Sequence, residues 1–418
     1  MSRTAFVIHG ARTPYMRAGT DFKDVGAVDL GRSASVEAIA RAGLEPADID
    51  QAIFGNIATP VDAANIGRIV ALRAGVPKER PAHSVSRNCA SGIESVVQAA
   101  RLIQTGEADV VLAGGTENMS QIPFIYRDRV KDVLTKAGMA KSAKARIGAF
   151  GKMPWGQLLN PVIGLKEGLT DPVCNLNMGE TAEILAKEGG LSREMQDAFA
   201  LRSHQRATAG RARFAEEIVA VPLPPNYDKV ATLDNGVREN QTMESLAKLK
   251  PFFDRKYGSV TPGNSSQITD GAAAVVVASE SFVTKRGLKP LGRIVAWGFA
   301  GLEPERMGLG PSRSTPPALR KAGWTMKDVG LVEINEAFAV QVLANLRAFE
   351  TDPGLGAIDE SLLNVNGGAI ALGHPVGSSG TRLILTLLLE MRRRRVSRGL
   401  ATLCVGGGQG ASILLEAS

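Results

Sequence analysis

Along this chain, short apolar runs alternate with apolar residues at helical spacing. Thr4–Ile8 is an apolar run before the Gly10–Pro14 turn and reads as a buried strand. Helical spacing over Val28–Ala42 predicts a helix, and Ile49–Ile57 the next strand. Ile66–Ala74 predicts a short helix, stopped by Gly75 and Pro77. His83–Arg87 is extended, Ile93–Gln104 helical, and Asp109–Ala113 a fully apolar strand ending in Gly114-Gly115. Strands alternating with helices predict an α/β protein with a largely parallel sheet.

After Glu117 the rhythm breaks. The stretches Gly179–Glu188 and Arg193–Glu217 are helix-like, and proline-rich irregular sequence follows them. Residues 118–258 therefore read as an inserted loop domain. An N-terminal α/β part (1–117) precedes it, and a return segment (259–290) with the strand Ala272–Ala278 follows. The remainder, 291–418, repeats the first half. Arg41-Ala42-Gly43 with Asp48-Ile49 matches Lys321-Ala322-Gly323 with Asp328-Val329, each before a strand (Ala52–Phe54, Leu331–Ile334). Cys89-Ala90-Ser91-Gly92 matches Gly377-Ser378-Ser379-Gly380, and each opens a helix leading to an apolar strand that ends in glycines. Two copies of one α/β unit, set face to face, would bring equivalent loops to a shared site.

Composition narrows the class without naming a chemistry. A hydrophobic share of 44% with 22% charged residues suits a soluble globular protein. No stretch has the length of a membrane span and no leader pattern opens the chain, so a cytoplasmic location is expected. Three cysteines without CxxC spacing argue against a disulfide framework and a structural zinc site. The net charge of +7 is uneven: Gln121–Thr170 holds nine Lys/Arg against three acids. Such an excess suits a phosphorylated ligand or an anionic surface. No motif for reading RNA or DNA accompanies it, so nucleic acid is not expected.

The chemistry concentrates in equivalent loops of the two copies. Asn364–Gly380 (NVNGGAIALGHPVGSSG) is glycine-rich, holds His374 and precedes the helix pattern Thr381–Met391. Bare peptide N–H groups at a helix start attract developing negative charge. Cys89 stands at the matching helix start, where free N–H groups and the dipole would favour thiolate. It is either a packed core thiol or a nucleophile with His374 as base. Cys404 ends a strand before Val405-Gly406-Gly407-Gly408, and Asn335 ends the strand Leu331–Ile334. Sites in parallel sheets gather at strand carboxyl ends, although Asn335 would also serve as a helix N-cap.

Four motifs in order, NCASG around Cys89, NEAF from Asn335, GGAIALGHPVGSSG around His374 and CVGGGQG from Cys404, resemble those of the thiolase family. The resemblance implies a five-layered αβαβα fold, two mixed sheets enclosing a central pair of helices. It implies an acetyl-CoA C-acyltransferase that cleaves 3-ketoacyl-CoA with CoA, reversibly, to acetyl-CoA and a shortened acyl-CoA. By the same resemblance Cys89 carries the acyl group, His374 takes its proton and Cys404 moves the second proton. His374 with a water on Asn335 forms one oxyanion site, and the N–H groups of Cys89 and Gly406 the other. Met178, Ser266 and Phe338 fall where the family places acyl and pantetheine contacts, although each also suits a packing or turn role. No metal and no permanently bound cofactor are implied, with coenzyme A as substrate, and the assembly is a homodimer or homotetramer. The remaining histidines, His9, His83 and His204, and Cys174 match no motif role and read as structural.

The long basic loop resembles the fatty-acid-oxidation branch, including β-subunits of trifunctional complexes. That implies β-oxidation, with a hydratase/dehydrogenase α-subunit or an anionic membrane surface as partner. Members of that branch commonly carry histidine at the position of Asn335, so a biosynthetic acetoacetyl-CoA thiolase, condensing two acetyl-CoA, stays open. A ketoacyl-synthase-type enzyme would lack the Cys404 motif. A non-catalytic acyl-CoA or lipid-binding scaffold would have lost Cys89, His374 or Cys404, and all three stand.

Overall fold

Helices cover the main sheet on both sides, which is why its strands are apolar on both faces. The computed structural model describes residues 3–352 and 354–418. The first half contributes β1 (Ala5–Arg12), α1 (Ala27–Arg41), β2 (Gln51–Gly55), α2 (Ile66–Arg73), β3 (Ala82–Val85), α3 (Ser91–Thr105) and β4 (Val110–Glu117). Further on come α4 (Met178–Gly189), α5 (Arg193–Phe214) and β5 (Thr269–Ser279). The second half contributes β6 (Gly292–Gly301), α6 (Gly310–Ala322), β7 (Leu331–Ile334), α7 (Ala339–Thr351), α8 (Ser379–Arg394), β8 (Arg398–Val405) and β9 (Gln409–Ala417).

The strand order is β7-β8-β9-β6-β1-β5-β4-β2-β3. Its two halves repeat. In the first, β1·β5 and β5·β4 are antiparallel and β4·β2 parallel. In the second, β6·β9 and β9·β8 are antiparallel and β8·β7 parallel. Where β3 would find its counterpart, only an isolated bridge, Val332 to Leu363, lies beside β7. Cys89 follows β3 and the His374 loop follows Leu363, so the two loops are equivalent in topology as well as in sequence.

Alternate residues of each strand serve different layers. Val275 and Val277 of β5, with Leu403 and Val405 of β8, face a central layer built on α3 and α8. Ala274, Val276 and Ala278 face α1 and α2 on one outer side. Val332, Ile334, Leu400 and Leu414 face α6 and α7 on the other. This is the five-layered arrangement expected. Two details differ: the strand pairing is mostly antiparallel rather than largely parallel, with five of the eight pairings along the sheet antiparallel, and the two sheets are not separate. Backbone pairing of Phe6 with Arg293 and Val7 with Gly292 joins β1 to β6 and makes one continuous sheet of these nine strands, with the short strand Met16–Arg17 paired on the start of β5 as a tenth.

Every residue of α8 from Ser379 to Met391 is buried. Its N-terminus meets that of α3 through a reciprocal glycine contact. A Cβ on Gly92 would lie 2.6 Å from the Thr381 nitrogen, and one on Gly380 would lie 2.4 Å from the Ile93 nitrogen. Only glycine admits backbones at that separation, and the contact sets the two helix starts against each other.

The chain divides into two compact units, Met1–Gln121 with Met178–Ser418, and Ile122–Asn177. Of the segment read as an insertion, α4 and α5 belong to the first unit. The second unit packs the helices Asp128–Gly138 and Ala143–Phe150 on each other, beside a ribbon pairing Phe124–Ile125 with Val162–Ile163. It buries Val130 and Ala137 and leaves Phe124, Ile147, Trp155 and Leu159 exposed. Among the described residues no helix is long and apolar enough to cross a membrane.

Candidate active site

The Cys89 loop is a tight turn between β3 and α3. The Ala90 N–H donates to the Arg87 carbonyl at 2.9 Å and the Ser91 N–H to that of Asn88 at 3.0 Å. Ser91 Oγ locks the turn: it accepts from the Arg87 N–H at 2.8 Å and donates to the Asn88 carbonyl at 2.8 Å. Arg87 is anchored to Glu94 at 2.8 Å and lies over the Phe299 ring at 4.3 Å. Burial pushes the half-buried Cys89 thiol up, and the nearby Gly406 N–H acts in the opposite sense without outweighing it. The helix start therefore does not leave a resting thiolate, as the sequence suggested. The dipole acts on a sulfur that has lost most of its water.

His374 is buried and held from both ring nitrogens. Ser379 Oγ donates its hydrogen to the Pro375 carbonyl at 3.0 Å. With its hydrogen on that carbonyl, Ser379 Oγ accepts at its 2.6 Å contact with His374 Nδ1, and Nδ1 then carries the proton. Nε2 is then the lone-pair nitrogen, and Asn335 Nδ2–H approaches it at 3.4 Å. Burial, and next the nearby Arg382 cation, lower the imidazole pKa to about 4. The shifts favour a thiol at Cys89 and a neutral imidazole at His374.

The loop bearing His374 is tied down along its length. The His374 N–H donates to the Gln267 carbonyl at 3.1 Å. The Gly377 N–H donates to Glu117 at 2.8 Å, and the same carboxylate accepts from the Ala58 N–H at 2.8 Å and Asn56 Nδ2–H at 2.9 Å. Burial pushes Glu117 up to about 7 despite these donors.

Asn335 follows β7 and its N–H donates to the Thr402 carbonyl at 3.0 Å, which fixes it beside β8. It is fully buried, and its Oδ1 has no partner among the described protein atoms. A buried carbonyl oxygen of this kind suits an ordered water. Cys404 on β8 is buried in a cluster with Met178, Phe253 and Phe338. Burial pushes its thiol up, and an ionised Cys89 would push it further. A Cβ on Gly406 would meet Met178 Sδ at 3.2 Å. Phe338 packs edge-on against Phe253 at 6.3 Å. The Ser266 N–H donates to the Ala337 carbonyl at 2.9 Å, so the strand of chain 265–267 ties the NEAF loop to the His374 loop.

Asn88, next to Cys89, thus bonds Gly406, Asn335 meets His374, Met178 and Phe338 pack around Cys404, and Ser266 bonds the Ala337 carbonyl beside them. Elsewhere His83 bonds Gln98 at 3.0 Å and His204 accepts the Arg238 N–H at 3.1 Å, while Cys174 lies in the second unit. Among the described residues no group of three or more His, Cys, Asp or Glu is placed to hold a metal ion. Ser379, Gln267, Glu117 and Asn88 were not singled out from sequence. A signal existed for Glu117, a carboxylate closing an otherwise apolar strand, but Ser379 is found only once the helix turn is built.

Two family models, the N-terminal and C-terminal domains of thiolase, match residues 5–281 and 288–417. The chain is 40% identical to the 3-ketoacyl-CoA thiolase of Yersinia enterocolitica, covering 98% of this chain and 96% of that one. It is 42% identical to the acetyl-CoA acetyltransferase of Syntrophomonas wolfei, covering all of both chains. The crystal structure of human mitochondrial 3-ketoacyl-CoA thiolase in complex with CoA superposes with a TM-score of 0.88 at 38% identity, covering 100% of this chain and 98% of that one. With both family models matched and the five-layered fold in place, the chain belongs to the thiolase family of acyltransferases.

Proposed function

We propose that the protein is an acetyl-CoA C-acyltransferase that thiolyses 3-ketoacyl-CoA through a Cys89 acyl-enzyme. One observation carries the reading: a neutral His374 with its Nε2 lone pair oriented by Ser379 and Asn335. Cys89 sulfur attacks the 3-keto carbon while Nε2 takes the thiol proton. The C2–C3 bond then breaks, its electrons form the enolate of acetyl-CoA, and Cys404 protonates C2. In the second half CoA thiol loses its proton to Cys404 and attacks the Cys89 thioester, and His374 returns the first proton to the released thiol. Negative oxygen develops twice. The N–H groups of Cys89 and Gly406 would meet it on the tetrahedral adduct, and His374 with a water on Asn335 would meet it on the enolate. A high resting pKa suits Cys404, which must hold a proton until the carbanion forms.

The degradative direction is supported by the likeness to named 3-ketoacyl-CoA thiolases, and β-oxidation by a cytoplasmic homo-oligomer is the setting proposed. The second unit, with nine cations and exposed Phe124, Ile147 and Trp155, suits an anionic membrane surface. Thiolysis of acetoacetyl-CoA and of a long-chain 3-ketoacyl-CoA by wild type and Cys89→Ala tests the core reading. Equal rates for the two proteins would remove Cys89 as nucleophile, and a preference for condensation over thiolysis would favour the biosynthetic role. Co-sedimentation with anionic vesicles at low and high salt tests the surface, and salt-insensitive or absent binding would reject it.

A further inference from the structure

The Cys89 turn contains a tie that neither the nucleophile nor its base requires. Asn88, one residue before the sulfur, has a left-handed backbone with φ of 42°. Asparagine is among the few residues that adopt this region without heavy strain. Its side-chain Nδ2–H donates to the Gly406 carbonyl at 2.7 Å. The bond reaches from the first half of the chain to the hairpin between β8 and β9. That hairpin is Gly406-Gly407-Gly408, with φ of 91° at Gly407 and 75° at Gly408. The Leu302 N–H holds the Gly408 carbonyl at 2.8 Å on one side, and Asn88 holds Gly406 on the other. Three consecutive glycines form the least restricted backbone a hairpin can have, so a side-chain tie on the Gly406–Gly407 peptide restrains Gly406 and, through its Cα, the N–H on the peptide before it. The Gly406 N–H, on the peptide before the tied carbonyl, is the donor proposed above for the acyl adduct and acts on the Cys89 thiol.

We propose that Asn88 is a positioning residue for acyl transfer, its amide holding the Gly406 carbonyl and so restraining the residue whose N–H faces the oxygen of the acyl adduct. The proposal rests on Cys89 being the acyl acceptor, and the test separates the two. Asn88→Gly keeps the left-handed backbone and removes only the amide. Asn88→Asp also tolerates the backbone but sets a carboxylate against the Gly406 carbonyl and beside the thiol. The measurements are kcat and KM for thiolysis of acetoacetyl-CoA, and the pH midpoint of Cys89 alkylation by iodoacetamide, read on the Cys89 peptide by mass spectrometry. Glu117 and Cys404, the charged or titratable groups that act on Cys89, stay unchanged in both variants.

Removing an oxyanion donor typically costs ~10²–10³ in rate. Loosening one should cost less, so Asn88→Gly is expected to lose about 10-fold in kcat with KM within about twofold. Its alkylation midpoint should rise by about half a pH unit, and Asn88→Asp should exceed it in both. Wild-type kcat and midpoint in Asn88→Gly would overturn the proposal, as would a loss confined to KM. If the wild type fails to thiolyse, the function proposed above fails, while the alkylation midpoints still decide whether Asn88 governs the sulfur.

Discussion

Ser379→Ala isolates the orientation of His374, the base proposed above. Ser379 is fully buried on the first turn of α8 and touches His374 Nδ1 at 2.6 Å. The substitution removes one oxygen and leaves the Nδ1 hydrogen without an acceptor. A buried donor left unmet costs ~1–3 kcal/mol, and at 1.36 kcal/mol per tenfold that is about 5- to 150-fold in rate. The ring can answer by moving the proton to Nε2, which silences the lone pair that must accept the Cys89 proton. A histidine held in the wrong tautomer costs ~10⁴ in the best-studied triad, but here nothing would freeze the ring in that form. The expected loss is therefore about 10- to 100-fold in kcat. KM should hold within about twofold, because Ser379 does not reach the surface. Steady-state thiolysis of acetoacetyl-CoA across pH 6–9 gives both numbers, and circular dichroism shows whether the helix start survives. A kcat within twofold of wild type with an unchanged pH profile would refute the tautomer reasoning.

Three other outcomes follow from the same geometry. Asn335→Ala removes the group that positions Nε2 and the proposed water, and should lower kcat by ~10²–10³; steady-state thiolysis reads it, and a loss below fivefold counts against the assigned oxyanion site. Gly380→Ala places a Cβ 2.4 Å from the Ile93 nitrogen, and overpacking of this kind costs ~1–3 kcal/mol, visible as a lower urea midpoint. His204 is buried with its pKa held at about 4 against an ordinary 6.5. The unfolded chain binds the proton first, so stability is lost as pH falls from 6.5 towards 4. The wild-type advantage over His204→Gln in urea unfolding should accordingly be flat above pH 6.5 and shrink below it; a constant difference would contradict the burial argument.

Much of the architecture was written locally. Runs such as Ala272–Ala278 are apolar at every position, which only a strand covered on both faces can use. Gly92 and Gly380 stand at equivalent points of the repeat because two helix backbones approach there, and matching motifs marked Cys89 and His374 as partners in topology. Other features depended on what folding placed alongside. Glycine spacing could not show that β1 and β6 pair and fuse the sheets, since edge pairing depends on how two finished sheets meet. α6 was hidden by its own Pro316 and Pro317, which argue against a helix until packing on β6 and β9 outweighs them.

The sequence by itself determined the repeated unit, the family and the residues that can do chemistry, because periodicity, glycine placement and motif order are properties of the chain. Tertiary structure alone decided the protonation of the site. Burial pushed the Cys89 thiol up and the His374 imidazole down to about 4, brought Asn335 Nδ2 to 3.4 Å from Nε2, and left Asn335 Oδ1 without a partner among the described protein atoms. A proton's position depends on solvent exclusion and on charges brought from far along the chain, and neither exists until the halves close on each other.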